Sequence, residues 1–364
     1  MLALNRGSSS IKFGLFTVAA EPQELARGTL TADGEPAIDQ VTRLAREPLS
    51  RHPLAVVAHR IVHGGPDLHE PRFVDDEMVA TLNQLIHLAP NHLPAEIALI
   101  EEVRRSRPRL PQVVCFDTAF HQTLPDVARR LPIPAEYEAQ GVRRYGFHGL
   151  SYTFLSGELM ARSGGKLPSR VILAHLGSGS SLCAVLDGRS IDTSMGFTPI
   201  GGVVMGTRSG DIDPGAVTYI ARLKGFDPES LERELSQRSG LTGLSGGTSD
   251  MRELLAGERT DPHCRLAAAV YCYEVRKYIG AYAAALEGLD ALVFSGGIGE
   301  HAPVVRTRVC TGLEFLGMTL DETANGANAP VISQAASRVA VHVIPTDEEL
   351  VLARAACQQL ERHA

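Results

Sequence analysis

LALNRGSSSIKFGLF (residues 2–16) sets two apolar runs around one Asn, one Arg, one Gly, three serines and a Lys. Apolar runs broken by small turn-forming residues read as two strands joined by a hairpin. The pattern returns in VILAHLGSGSSLCAVLDG (171–188), aligned on Gly7 and Gly177, with His175 in the place of Asn5. Each copy opens a segment in which strand-like runs alternate with amphipathic stretches. The runs are AVVAHRIV (55–62), PQVVCFD (111–117), ALVFSGGIG (291–299) and RVAVHVIP (338–345), and the longest amphipathic stretch lies at 263–288. That alternation predicts an α/β protein. The repeat predicts two related halves facing one another across a cleft.

Length and charge narrow the function classes. At 364 residues the chain exceeds one ordinary core, so two domains are expected. The formal charge is 35 − 42 = −7, which argues against nucleic-acid partners and anionic membranes. An anionic ligand would therefore need a local basic pocket. The six cysteines are scattered without a CxxC pair and read as buried small hydrophobes. No basic segment leads into an apolar cleavage region and no run spans a bilayer, so a cytoplasmic protein is expected.

Several polar residues stand where chemistry is commonly done. In a Gly/Ser hairpin, backbone N–H groups and hydroxyls converge on phosphate oxygens; alternatively the serines serve a solvent-facing turn. Lys12 would add a positive charge there, and Asn5 an oxygen for a metal or its waters. A third glycine turn, Ser295–Glu300, follows a strand and starts a helix, as in nucleotide sites. It matches neither the Walker A nor the dinucleotide spacing. AHRIVHGG (58–65) puts Arg60 in a near-buried strand, where it needs an anionic partner, structural or substrate. VVCFDTAFH leaves Asp117 at a strand end. RRYGFHGLS and MGTRSGDIDPG add His148 and Arg208 among glycines. Near the carboxyl terminus, Thr346 and Glu349 fit a capping box, placing Asp347 and Glu348 in a helix's first turn. Those carboxylates either complement the helix dipole or hold magnesium.

Taken in order, N-x-GSSS-x-K, HR-x-VHGG, FDTAFH, RRYGFHG, HLG-x-GSS, GFTP, MGTRSGDIDP, TGLSG-x-x-SD, GGIGE and PT-x-EE resemble the acetate kinase family. This family lies within the actin-like and sugar-kinase group of folds. The resemblance implies two actin-like (ribonuclease H-like) α/β domains with an active-site cleft between them. Residues 1–120 with 350–364 would form one, and 121–349 the other, carrying the nucleotide and the contact of a homodimer. It implies reversible, Mg-dependent transfer of the γ-phosphoryl group of ATP to acetate, giving acetyl phosphate and ADP, with manganese as a substitute ion. Propionate or another short-chain acid is the alternative substrate.

By the same resemblance Asn5 and Glu348 would hold the metal, and Lys12 would contact the nucleotide phosphates. Arg60 and Arg208 would clamp the carboxylate and the transferring group, with His148 donating to it and Asp117 as the catalytic carboxylate. Nucleotide contacts would come from His175, Leu176, Gly177, Ser178, Gly179, from Asp250, Met251, Arg252, and from Gly297, Ile298, Gly299, Glu300, His301. Val62, Phe147 and Pro199 match the acyl pocket. The chain departs from the family's pattern at Ser178 and His301, each replacing an Asn, and at Asn91, which stands where an apolar pocket residue is expected. Two other readings exist. Gly243–Gly247 satisfies the G-x-S-x-G of serine hydrolases, but the residues before it are polar and helical, not a buried strand. A non-catalytic actin-like ATP binder would not need Arg60, His148 and Arg208.

Overall fold

The computed structural model describes residues 1–7, 10–31 and 35–363. Ser8 and Ser9, the middle of the first Gly/Ser turn, lie outside the described residues. The chain divides into two compact units, 1–122 with 149–154 and 347–364, and 123–148 with 155–346.

The first unit is built on a six-stranded sheet of β1 (Leu2–Arg6), β2 (Ser10–Phe16), β3 (Glu24–Thr31), β4 (Val57–Ile61), β5 (Arg72–Phe73) and β6 (Gln112–Phe116), in the order β3-β2-β1-β4-β6-β5. The second has β7 (Arg170–Leu176), β8 (Ser180–Leu186), β9 (Arg189–Thr193), β10 (Ala291–Ser295) and β11 (Ala340–Val343), in the order β9-β8-β7-β10-β11. Each has an antiparallel three-strand meander, a parallel strand laid against its first strand and a second parallel strand laid against that one. The repeat read from the sequence is therefore a repeat of topology. The hairpins differ by one residue: Asn5 lies opposite Lys12, whereas His175 lies opposite Ser181. Gly7 N–H donates to the Ser10 carbonyl at 2.8 Å, and Gly177 N–H to the Gly179 carbonyl at 3.1 Å.

Alternation along each strand feeds two cores. In β1, Leu2 and Leu4 pack with Val57, Leu99 and Val103, while Ala3 faces Ala58, Val113 and Leu352. Leu99 and Val103 belong to the helix Leu93–Ser106, and Leu352 to the last helix, Glu348–His363. In the second unit the helix Pro262–Ala285 buries Ala267, Ala268, Tyr271, Val275 and Ile279 against Ile172, Ala174, Leu292 and Phe294. Three- and four-residue spacing keeps those side chains on one face. All six cysteines are free and buried. Among the described residues, no helix is long and apolar enough to cross a membrane.

One local expectation changes, and one holds. The last helix is capped by Asp347, whose Oδ1 accepts from Leu350 N–H at 2.9 Å, and not by a Thr346–Glu349 box. Glu349 instead accepts from the Asn5 side chain at 3.1 Å, because a buried carboxylate one turn in has a closer donor there. Ser245, the serine of G-x-S-x-G, ends a short helix, Gly240–Ser245, and donates to the Thr248 carbonyl at 2.8 Å. No strand precedes it to make a nucleophile elbow.

One close approach fixes the chain beside Asp117. Gly149 N–H donates to the Asp117 carbonyl at 2.9 Å, and a Cβ at position 149 would lie 2.1 Å from that oxygen. Gly149→Ala should cost on the order of 2 kcal/mol through overpacking. Thermal unfolding of the purified variant checks this as a lower melting temperature.

Candidate active site

Parallel strands bring the polar residues of the first unit to one sheet end. Asn5 stands near the end of β1, Arg60 near the end of β4, and Asp117 one residue past β6. Arg60 donates through Nε (3.0 Å) and Nη2 (2.5 Å) to Asp117 Oδ2. Its Nη1 lies 3.9 Å from Glu96 Oε1. Burial works against the guanidinium charge, but the Asp117, Glu348 and Glu96 carboxylates outweigh it and hold Arg60 above its ordinary range. Asn5 Nδ2 donates to Glu348 Oε2 at 2.8 Å, so the first and last elements of the chain meet at one point. Burial pushes Glu348 up to about 7, with Asp117 adding to the rise and Arg60 opposing it. Lys12 is exposed on β2, Val62 is buried, and Asn91 is exposed before the Leu93–Ser106 helix.

Two acids here were given no role in the site by the motif reading, although Glu349 stands in PT-x-EE. Glu96 is 3% exposed and accepts from Val62 N–H at 3.0 Å through Oε2. Burial raises it to about 7. Glu349 is the other, bound to Asn5 as described above. A signal existed for both: each acid falls on the apolar stripe of an amphipathic helix, Glu96 beside Leu93, Ile97 and Ile100, and Glu349 beside Leu352 and Ala353. An acid on a core stripe needs a buried partner. Among the described residues, Asp117 Oδ1 and Glu96 Oε1 are buried without a hydrogen-bond partner.

The second unit gathers a cationic group. His148 has a left-handed backbone (φ 59°), and its Nδ1 is 2.8 Å from Ser181 Oγ. Its ring stacks on His175 with centroids 4.3 Å apart. A Cβ at Gly179 would lie 3.4 Å from His148 Nε2 and 3.5 Å from Arg208 Nη1, so the imidazole and guanidinium tips converge over a glycine of the β7–β8 turn. Arg208 Nη1 also donates to the Pro199 carbonyl at 3.1 Å. Phe147 and Leu176 are buried nearby in the chain.

A cavity of about 580 Å³ opens in the same unit, lined by Gly177, Ser178, Asp250, Met251, Arg252, Gly297, Ile298 and His301, together with Leu255 and Ala302–Val304. Its size suits a nucleotide-sized ligand. Three stretches distant in sequence meet there, as the motifs implied, and two departures from the family pattern, Ser178 and His301, are on its wall. Arg252, hydrogen-bonded to Asp250, holds that carboxyl down to about 2. Glu300 faces inward, accepting from Gly296 N–H at 2.8 Å and so capping the short helix Gly296–His301. Gly296 has φ 75°, and a Cβ there would lie 2.6 Å from the Leu176 carbonyl, so only glycine allows this approach. On the other side, Tyr271 pairs with Ser180 Oγ at 2.9 Å, and Ser180 in turn donates to the Gly177 carbonyl at 3.0 Å.

A doubled three-plus-two-strand sheet, with arginines and carboxylates at strand ends and a glycine-walled cavity, defines an actin-like phosphotransferase. Known proteins agree. The sequence profile of the acetokinase family matches residues 31–354. The acetate kinase of Nitrobacter hamburgensis is 44% identical, the match covering 97% of this chain and 94% of that protein. The acetate kinase of Rhodopseudomonas palustris is 43% identical over 97% of this chain and 96% of its own. Among solved structures, the acetate kinase of Porphyromonas gingivalis superposes with a TM-score of 0.89 at 34% identity, covering 99% of both chains. A propionate kinase from Francisella tularensis gives 0.90 at 34% identity, covering 97% of this chain and 98% of that one. The chain belongs to the acetokinase family, and it is an enzyme, a kinase.

The raised Glu96 carboxyl gives a pH-dependent stability of defined sign. The folded state keeps its proton up to about 7, whereas an ordinary glutamate carboxyl titrates at 4.5. The folded state thus binds more protons between those values, and stability falls as pH rises through that window. In Glu96→Gln the fall in melting temperature across the window should be smaller than in the parent, with Glu348 keeping its own share. Melting curves of both proteins across the window check it.

Proposed function

We propose that this kinase transfers the γ-phosphoryl group of ATP to acetate, reversibly, forming acetyl phosphate and ADP. The observation that carries this reading is the convergence of His148 Nε2 and Arg208 Nη1 over Gly179, beside a cavity of nucleotide size. Full-length similarity to acetate kinases supports acetate as the acid. The Francisella propionate kinase keeps propionate as the second reading.

The chemistry fits those residues. A carboxylate nucleophile is ionised at neutral pH, so no base has to deprotonate it. What must be overcome is repulsion between two anions and the loss of alignment. Arg60, aimed by Asp117, binds and orients the carboxylate. Arg208 and the Nε2–H of His148 stabilise charge on the transferring oxygens. Ser181 at Nδ1 and the stacked His175 ring fix the orientation of His148. Gly177–Gly179, Asp250–Arg252 and Gly297–His301 hold the nucleotide, Lys12 its phosphates, and Val62, Phe147 and Pro199 the acyl group, with Asn91 nearby setting its size.

Magnesium, with manganese as substitute, fits the donors of Asn5 and Glu348. They offer hard oxygens, and the unpartnered Asp117 Oδ1 and Glu96 Oε1 leave acceptors for metal-bound water. Among the described residues no cluster of three His, Cys, Asp or Glu forms a metal cage, which suits an ion held by one or two side chains and by substrate. When bound, the ion neutralises phosphate charge. We assign the nucleotide site and a homodimer contact to the second unit, 123–148 with 155–346. Exposed Tyr219 and Leu223 in that unit support that contact. A cytoplasmic location accords with ATP as substrate.

Hydroxylamine trapping with Mg-ATP and a series of formate, acetate, propionate and butyrate tests the reaction. Acetate should give the most hydroxamate, and none should form without the divalent ion; no acid-dependent product from any member would overturn the reading. Arg208→Ala should lower kcat/KM about 10²–10³-fold, the usual loss for one anion-stabilising donor.

A further inference from the structure

Arg306 is the largest fully buried side chain that is charged, at 0% exposure, and among the described residues it pairs with no carboxylate. Its five N–H donors make five hydrogen bonds, all to neutral oxygens. Nε donates to Asn325 Oδ1 (2.8 Å) and Nη2 to the Asn325 carbonyl (2.8 Å) and Asn328 Oδ1 (2.6 Å). Nη1 donates to the carbonyls of Gly299 (2.8 Å) and Glu300 (3.0 Å). Burial lowers the guanidinium to about 10, which leaves it charged at neutral pH. A desolvated cation without a counter-charge is costly, so the wall it serves must need all five donors.

That wall is the back of the nucleotide cavity. Gly297, Ile298, His301, Ala302, Pro303 and Val304 face the cavity. The carbonyls of Gly299 and Glu300, in the same run, turn away and are taken by Arg306. The Pro303 carbonyl accepts from Asn325 Nδ2 at 3.1 Å, and Asn325 is itself held by Arg306. The other end of the short helix is fixed by Glu300 on Gly296 N–H. A helix of two turns at most does not hold its shape alone. Lysine cannot replace the planar fork, because one ammonium cannot reach carbonyls and amides on three segments.

We propose that Arg306 is the positioning residue of the nucleotide cavity, bracing residues 297–304 from behind so that the wall is formed before ligand arrives. This rests on the nucleotide reading of that cavity. The brace acts on one substrate only. Its loss makes nucleotide binding bear the cost of ordering the wall, and the acid, bound elsewhere by Arg60, is unaffected.

The test uses the full-length protein with Arg306→Met and Asn328→Gly. The second variant removes one acceptor, leaves the cation with four bonds, and suits the positive φ of 51° at that position. Binding of ADP and of a non-hydrolysable ATP analogue is measured by calorimetry, and KM for both substrates by hydroxamate assay. Arg306→Met should weaken nucleotide binding about tenfold and Asn328→Gly about twofold to threefold, each with the KM for acetate unchanged. Nucleotide affinity within experimental error of the parent in a folded variant overturns the proposal, as does an equal rise in both KM values. Should Arg306→Met fail to fold, Asn328→Gly alone decides. If the parent protein binds no nucleotide, the reading of the cavity fails, separately from the brace.

Discussion

A guanidinium held on a buried strand sets the plan of the first unit. The Arg60 side chain is 15% exposed, and it rises from β4 between the buried His59 and Ile61. It is stable there only because the parallel register of β4 and β6 delivers Asp117 just beyond the strand end, Glu96 reaches in from the helix Leu93–Ser106, and Glu348 closes from the last helix. Leaving such a charge unpaired costs roughly 3–5 kcal/mol, a large part of a domain's stability. The arrangement therefore ties together segments 343 residues apart, from Asn5 to Glu348. Burial raises Glu96 and Glu348 while the Arg60 charge opposes the rise, so these acids crowd around one cation with their charge only partly offset.

The second unit repeats the sheet and changes its chemistry. Where the first hairpin puts Asn5 opposite Lys12, the second, one residue shorter, puts His175 opposite Ser181. That shift brings the Ser181 hydroxyl to His148 and lets the histidine ring lie on His175. Glycine at 179 then keeps space over the turn for the His148 and Arg208 tips. The cavity beside it depends on buried polar supports: Tyr271 through Ser180 behind one wall, and Arg306 with Asn325 behind the other. Both supports lie outside the cavity lining, so the binding surface is shaped by residues that do not touch it.

Much of this was legible in the chain. Apolar runs and Gly/Ser turns gave the paired hairpins, and their duplication gave two related sheets, because strand periodicity and turn chemistry are local properties. The motif order gave the family and grouped Gly177, Asp250 and Gly297 on one ligand before any of them could be seen to share a cavity. The support these groups receive was not read: Glu96 is a single charge on the apolar stripe of an amphipathic helix and reads as an irregularity, Glu349 was read only as part of a capping box, and Arg306 lies in a short helix that carries a second arginine, Arg308. The capping box at Thr346 failed for a related reason, since Asn5, at the far end of the chain, competes for the Glu349 carboxylate.

The sequence by itself determined the α/β class, the repeat and the family. Those follow from short-range patterns and from residue types that only a few tasks require. The tertiary structure decided which buried charges pair, which glycines are forced by a neighbouring carbonyl, and which side chains hold a wall from behind. Those outcomes rest on desolvation, and desolvation depends on what the whole fold places around a group and not on its neighbours in the chain.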